Sequence, residues 1–283
     1  MAGAGAIVMV LLLAFGRTSK PHSHADHAPE AHGAAAGKGQ PAALGLDTVL
    51  ARTGGRLNPA QQNRLQALHA QAIAAQGSAK AALYNQLSRW LLDSLHQHGL
   101  GAYYLGEAAA LENSEKKLTF AARLLFDELM QEPDPALKQW QALQAKAMFD
   151  KVVALNPAND SAQIALGALY MFGGISANPM EGILKVRQIA EKNPRNVYAQ
   201  MVLGMGGIQS GQYDRAVDRF KKVLEVEPNN LEAIFHLAET YDRKAVKDSA
   251  ILWYARAAAL VQVPQARQEI EQRINTLRQQ TNP

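Results

Sequence analysis

The pattern of apolar and polar positions is helical along most of the chain. In residues 197–230, "VYAQMVLGMGGIQSGQYDRAVDRFKKVLEVEPNN", apolar residues recur at spacings of three and four, the period of one helix face. The pattern breaks near Gly211 and ends at Pro228, so it predicts two helices joined by a short turn. The segments before and after show the same period, and we therefore expect an all-α protein with almost no β-sheet.

Prolines return at a nearly fixed distance along the second half of the chain. Pro157, Pro194, Pro228 and Pro264 are separated by 37, 34 and 36 residues. The first three lie in the similar stretches "LNPAND", "KNPRNV" and "VEPNNL". A period in the mid-thirties is typical of proteins built from stacked helical repeats.

The order of small and large residues within one period resembles the tetratricopeptide repeat, a helix-turn-helix unit. Counted from Val197, the matching positions are Leu203, Gly204, Gly211, Tyr213, Ala216, Phe220 and Pro228. Counted from Leu231, they are Leu237, Ala238, Tyr241, Ala250, Tyr254 and Ala257. A third match near Asp160 begins with Leu166 and Gly167. The resemblance implies a right-handed superhelix of helix pairs, an α-solenoid.

These signals divide the chain into four parts. We expect a membrane anchor or uncleaved signal-like segment at 1–16, a flexible Ala/Gly/Pro/His-rich linker at 17–57, a repeat domain at 58–264 and a capping helix at 265–283. Within the domain we expect an N-terminal helix, degenerate repeats over about 83–159, and clearer repeats at 160–196, 197–230 and 231–264. The N-terminal helix should turn Leu65, Leu68 and Ile73 inward.

The segment at 1–16, "MAGAGAIVMVLLLAFG", has no charged side chain and ends at Arg17. Its length lies near the lower limit for a spanning helix and overlaps that of a signal-peptide core. No basic residue precedes it and no small-residue cleavage site follows closely, which favours an uncleaved anchor. Arg17 and Lys20 alone would favour a cytoplasmic domain, but long domains translocate largely regardless of such charges. The resemblance to membrane-tethered repeat proteins of bacterial envelopes implies a periplasmic domain.

The linker contains four of the eight histidines, His22, His24, His27 and His32. Such a cluster could bind copper, nickel or zinc, which makes metal handling an alternative function. A polar linker without metal is the favoured interpretation, because no rigid frame fixes the ligand geometry.

The sequence offers little that points to catalysis. It has no cysteine, and we find no phosphate-binding loop and no paired nucleophile and base. His236 has no carboxylate motif beside it, and we interpret it as a satisfied helix residue. The net charge of +4 is scattered rather than gathered in a stripe. We therefore expect no enzyme, no cofactor and no nucleic-acid partner.

A repeat stack of this kind forms a concave groove lined by the first helix of each repeat. The resemblance implies that the groove positions are Ile164, Ala168, Met171, Tyr198, Met201, Met205, Ile208, Glu232, Phe235, Glu239 and Asp242. The groove should be apolar and methionine-rich with an acidic end, and it lacks the lysine and asparagine of the family's carboxylate clamp.

We therefore expect a non-catalytic, membrane-tethered scaffold or assembly factor that binds a peptide segment or helix of another protein. One alternative is a scaffold that self-associates into a homo-oligomer. Another is that the protein's own loop or a neighbouring chain fills the groove, so that its residues are ordinary packing.

Overall fold

The computed structural model describes residues 44–176 and 178–280. Within these ranges the chain forms thirteen α-helices and no β-strand. They are α1 (Leu46–Gly54), α2 (Pro59–Ala74), α3 (Gly77–Arg89), α4 (His98–Leu111), α5 (Glu115–Gln131), α6 (Pro135–Leu155), α7 (Asp160–Phe172), α8 (Met180–Lys192), α9 (Val197–Gln209), α10 (Tyr213–Val226), α11 (Leu231–Arg243), α12 (Lys247–Leu260) and α13 (Pro264–Gln279). A π-helical turn, Trp90–Ser94, follows α3.

The helices stack in chain order, each against the next from α2 to α13. Along this stack, α5, α7, α9 and α11 also contact one another across the repeats. These odd-numbered helices therefore line the inner side of the superhelix, while their even-numbered partners lie outside. The prediction of an all-α superhelix of helix pairs is confirmed.

The Pro-x-Asn sequences that begin at Pro157, Pro194 and Pro228 lie at the junctions between repeats. Each of the three prolines directly follows the C-terminal cap of an even-numbered helix, where its missing N–H costs no helical hydrogen bond. Two residues later, the side chains of Asn159, Asn196 and Asn230 accept hydrogen bonds from the backbone N–H of Ala162, Ala199 and Ala233, at 2.9, 3.0 and 2.9 Å. The Pro-x-Asn sequence thus ends one helix and caps the next.

Small residues let the two helices of a repeat cross closely. A Cβ atom added to Gly167 would lie 2.8 Å from the carbonyl oxygen of Gly182, and one added to Gly182 would lie 2.8 Å from Cβ of Tyr170. In the next repeat, a Cβ on Gly204 would lie 2.5 Å from the Phe220 ring. Backbone and rings therefore occupy the space that a side chain would need.

The other repeat positions named from the sequence also lie in the helix pairs. The buried ones are Leu166, Ala216, Leu237, Ala238, Ala250, Tyr254 and Ala257. Tyr213 and Tyr241 are half-buried, and Pro228 is exposed in its junction. These residues supply most of the contact between the two helices of each later repeat.

Two expectations for the N-terminal region are wrong. The predicted linker ends earlier than residue 57, because α1 packs Leu46, Val49 and Leu50 against the core, with Val49 and Leu50 three and four residues after Leu46. In α2, Leu65 and Leu68 are buried as predicted, but Ile73 is 59% exposed. Ala72 takes the inward position instead, because Leu65, Leu68 and Ala72 follow one another at spacings of three and four and so share one helix face.

The predicted anchor at 1–16 and the four linker histidines lie outside the described residues. Among the helices of the described ranges, none combines the length and the apolar character needed to cross a bilayer.

Candidate functional site: the inner face of the repeats

Several residues predicted to line the groove are buried in the core. Ile164, Met171, Met201 and Phe235 are almost fully covered, as is Ala168. They lie in core clusters in which an odd-numbered helix packs against its even-numbered partner and the next odd-numbered helix. A partner cannot contact them in this arrangement. The expectation of an open, methionine-rich groove is therefore wrong at these positions.

The remaining predicted positions stay at least partly accessible. Tyr198, Met205 and Ile208 of α9 are half-buried, and Glu232 of α11 is exposed. Glu239 and Asp242 are half-buried too, but each is engaged by a basic residue. Of the predicted groove, the part that a partner can reach is thus centred on one tyrosine and one glutamate.

Tyr198 occupies the centre of the inner face and joins three repeats. Tyr198 is the second residue of α9, and it packs on the cluster that contains Ile164 and Ala168 of α7. The centre of its ring lies 5.7 Å from the Arg123 guanidinium of α5. Burial raises the pKa of Tyr198 to about 12, against the effect of Arg123. The charges of Asp127 and Glu232 raise it further.

The charges of acidic residues from two helices, α5 and α11, act on this tyrosine. Burial raises the pKa of Asp127 in α5; Arg123 opposes this, and the charge of Glu232 in α11 adds to it. Burial likewise raises the pKa of Glu128, against the effect of His98. Within the described ranges, no lysine or arginine lies at salt-bridge distance from Asp127 or Glu128. The centre of the inner face therefore carries excess negative charge.

Exposed apolar side chains flank these acids on α5. Phe120 and Met130 are 57% and 39% exposed, and they share one helix face with Arg123 and Asp127 at spacings of three and four. Sequence reasoning missed this face because the long first helix of the repeat fits the family pattern poorly. The signal that could have found it is the isolated exposed phenylalanine on a helix whose opposite face is Leu-rich and Ala-rich.

A second polar cluster lies on α11. His236 is half-buried, with Nδ1 3.3 Å from Oε2 of Glu239 and Nε2 4.0 Å from Oε1 of Glu232. Its ring stacks on Phe220, and Arg243 binds the other carboxylate oxygen of Glu239 at 2.7 Å. The expectation that His236 has no carboxylate neighbour is therefore wrong, because residues three and four apart share a helix face.

The accessible part of the inner face combines three kinds of side chain. In the described part of the chain, no three histidines or carboxylates are arranged to hold a metal ion. Apolar, aromatic and acidic side chains instead form a continuous surface suited to a cationic, partly apolar segment. The fold and this surface define a helical-repeat scaffold for other proteins.

Part of the repeat region matches a known kind of repeat. The profile described as "Tetratricopeptide repeat" matches residues 208–268. "Tetratricopeptide repeat protein 8" of Caenorhabditis elegans is 36% identical over 80 residues, which cover 28% of this chain and 15% of that protein. The chain therefore resembles tetratricopeptide-repeat proteins over these residues, and the matched segment spans less than a fifth of that relative.

Solved structures of similar architecture share little sequence with it. "Crystal structure of YrrB: a TPR protein with an unusual peptide-binding site" aligns at 18% identity and a TM-score of 0.41, covering 68% of this chain and 92% of that one. "MamA 41-end from Desulfovibrio magneticus RS-1" aligns at 20% identity and a TM-score of 0.42, covering 64% of this chain and 94% of that one. Likeness of this degree says nothing about what this chain binds.

Proposed function

We propose that this protein is a non-catalytic scaffold that holds a basic, partly apolar segment of a partner protein on its inner face. The observation that carries the proposal is the surface around Tyr198, where the ring lies 5.7 Å from Arg123 of α5, Phe120 and Met130 of α5 are exposed, and the charges of Asp127 and Glu232, from helices three repeats apart, both act on the tyrosine. A segment lying across the repeats would meet both carboxylates and the tyrosine together.

The side chains of this surface favour a particular composition in the partner segment. A lysine or arginine of the segment can sit between Asp127 and Glu232, beside the Tyr198 ring on which Arg123 already lies, where the attraction of the two carboxylates adds. Apolar side chains of the segment can cover Phe120 and Met130, which are otherwise exposed to water. Acidic segments would be repelled by the same carboxylates.

The test is a binding titration with a fluorescein-labelled peptide of alternating lysine and leucine, followed by anisotropy. The paired substitutions Asp127→Asn and Glu232→Gln should weaken binding about tenfold, since two favourable charge pairs are lost. The control removes two charges elsewhere, Glu225→Gln and Glu271→Gln, both on exposed positions.

Equal weakening by both pairs of substitutions would mean that only net charge matters, and the inner face would lose its role. A second peptide, with glutamate in place of lysine, should bind the unchanged protein weakly. Its affinity should be no higher than that of the lysine peptide for the Asp127→Asn, Glu232→Gln variant. Circular dichroism of each variant checks that the helices remain.

We also propose that residues 1–16 tether the repeat domain to a membrane and that the domain lies in the periplasm. The uncharged apolar run and the absence of a nearby cleavage site support this. In bacterial spheroplasts, added protease should digest the repeat domain, and the full chain should stay with membranes after carbonate washing. A chain starting at residue 44 that remains equally membrane-bound would contradict the tether.

A further inference from the structure

Three arginines converge on a cavity between α8, α9 and α10. Arg187 comes from α8, whereas Arg215 and Arg219 lie one turn apart on α10. The cavity has a volume of about 110 Å³, and its remaining wall is formed by Met171, Met180, Ile183, Leu203, Gly206, Gly207, Ser210 and Gln212. The lining thus combines three cationic side chains with apolar and small polar residues.

The charge of these arginines is not neutralised at short range. In residues 44–176 and 178–280, no carboxylate lies within salt-bridge distance of any of the three. Burial lowers the pKa of Arg219, and the neighbouring charges of Arg187 and Arg215 lower it further. Glu191 and Asp218 offset part of this effect from a greater distance. An anion entering the cavity would therefore relieve repulsion among three cations.

The buried Gln200 holds one of the arginines in place. Its side chain is 1% exposed, and its Nε2 donates a hydrogen bond to the carbonyl oxygen of Pro194 at 2.9 Å. This fixes its Oε1 to accept a hydrogen bond from Nη1 of Arg219, also at 2.9 Å. The Arg219 fork is thus oriented before any ligand arrives, which reduces the entropy lost on binding.

We propose that this cavity binds a phosphoryl group. Drug-sized ligands need cavities of roughly 300–1,000 Å³, so this one admits only a compact group. A phosphoryl group offers three acceptor oxygens and up to two negative charges, which match three planar guanidinium donors better than a single carboxylate does. The apolar wall of Met180, Ile183 and Leu203 suits the carbon atoms next to such a phosphate.

The cavity is separate from the inner face. On α9, Leu203 and Gly207 lie on roughly the opposite side of the helix from Tyr198 and Met205 at 3.6 residues per turn. None of Tyr198, Asp127 and Glu232 lines the cavity. Its occupation does not depend on the function proposed for the inner face.

Inorganic phosphate, titrated into the full-length protein by isothermal calorimetry, is the first probe. The unchanged chain should bind phosphate at millimolar concentration or below, and Arg187→Gln or Arg215→Gln should each weaken binding about tenfold, the value of one lost charged hydrogen bond. Arg195→Gln is the matched control, because Arg195 is exposed in the α8–α9 junction and does not line the cavity. Chloride at equal ionic strength should not compete.

The second arm identifies the source of the phosphoryl group. If vesicles containing phosphatidylglycerol bind the unchanged chain and the Arg195 variant more strongly than the Arg187 variant, the source is a lipid headgroup. If vesicles do not discriminate while phosphate and glycerol phosphate do, the source is a soluble ligand. The proposal is overturned if phosphate gives no heat, or if the Arg187, Arg215 and Arg195 variants bind it equally, with thermal unfolding showing that all three are folded.

Discussion

Nδ1 of His236 lies 3.3 Å from Oε2 of Glu239, one turn further along α11, and Arg243 holds the other oxygen of that carboxylate. Burial lowers the pKa of His236, but the hydrogen bond and the charges of Glu239 and Glu232 outweigh it, so the pKa lies above its ordinary value. Burial likewise opposes the charged form of Glu239, yet His236 and Arg243 lower its pKa to about 2.

This pair makes stability depend on pH in both directions. Because the pKa of His236 is raised, its contribution is complete below 6.5 and is lost as the pH rises through the folded pKa. Because the pKa of Glu239 is lowered, its contribution is complete above 4.5 and is lost as the pH falls toward 2. The unfolding free energy of the unchanged chain should therefore fall as the pH rises above 6.5, and His236→Gln should remove this fall. Urea unfolding of both proteins between neutral and mildly alkaline pH measures the unfolding free energy.

The exposed His98 provides the control for this prediction. His98→Gln should leave the alkaline loss as it is in the unchanged chain. A His236→Gln protein whose stability still falls over the same pH range would show that another group causes the loss.

Asp242 fixes the capping helix to the last complete repeat. Nε and Nη2 of Arg273 donate to its two carboxylate oxygens at 2.7 and 2.8 Å, and Tyr254 donates to the same group at 3.3 Å. Arg273→Lys keeps the charge but loses the fork, and we expect a loss of about 1 kcal/mol. Hydrogen exchange should become faster in α13 and stay unchanged in α7. Equal protection of α13 in both proteins would mean that its apolar face alone holds it.

The crossing of α7 and α8 should not tolerate a side chain. Gly182→Ala places a Cβ against the Gly167 carbonyl and 2.8 Å from Cβ of Tyr170, and backbone cannot move aside as a flexible side chain can. We expect a loss of about 2 kcal/mol or more in chemical unfolding. Gly55→Ala is the matched control, because its Cβ would lie 3.5 Å from the nearest atom. If Gly182→Ala costs no more than Gly55→Ala, the close approach of α7 and α8 does not exclude a side chain at residue 182.

The asparagine caps should each contribute measurably. Asn196→Ala removes the acceptor for the Ala199 N–H and should lower the unfolding free energy by about 1 kcal/mol. Asn196→Asp keeps an acceptor and should retain most of the stability. Thermal unfolding of the three proteins side by side checks this. An alanine variant as stable as the aspartate variant would mean that the cap does not contribute to stability.

The repeat architecture could be predicted because its signals are local. A Pro-x-Asn junction ends and begins helices by contacts within a few residues, and small residues such as Gly204 are required by one helix crossing. The accessible groove could not be predicted, because the distance between neighbouring odd-numbered helices decides whether Met201 is reachable. That distance is a property of the whole stack.

The arginine cavity and α1 were missed for related reasons. Arg187 and Arg219 are 32 positions apart, and only the packing of α8 against its neighbours brings them together. α1 has nine residues with few large apolar side chains, so it resembles linker until the core that receives Val49 is present.

The Pro-x-Asn junctions also have a consequence for how this chain can change in length. Each junction satisfies the backbone of the helix that follows it with atoms of its own sequence, and each repeat touches mainly its immediate neighbours. A block of residues running from one junction to the next can therefore be duplicated or removed as a unit. The number of such blocks determines the length of the protein, independently of what any single block binds.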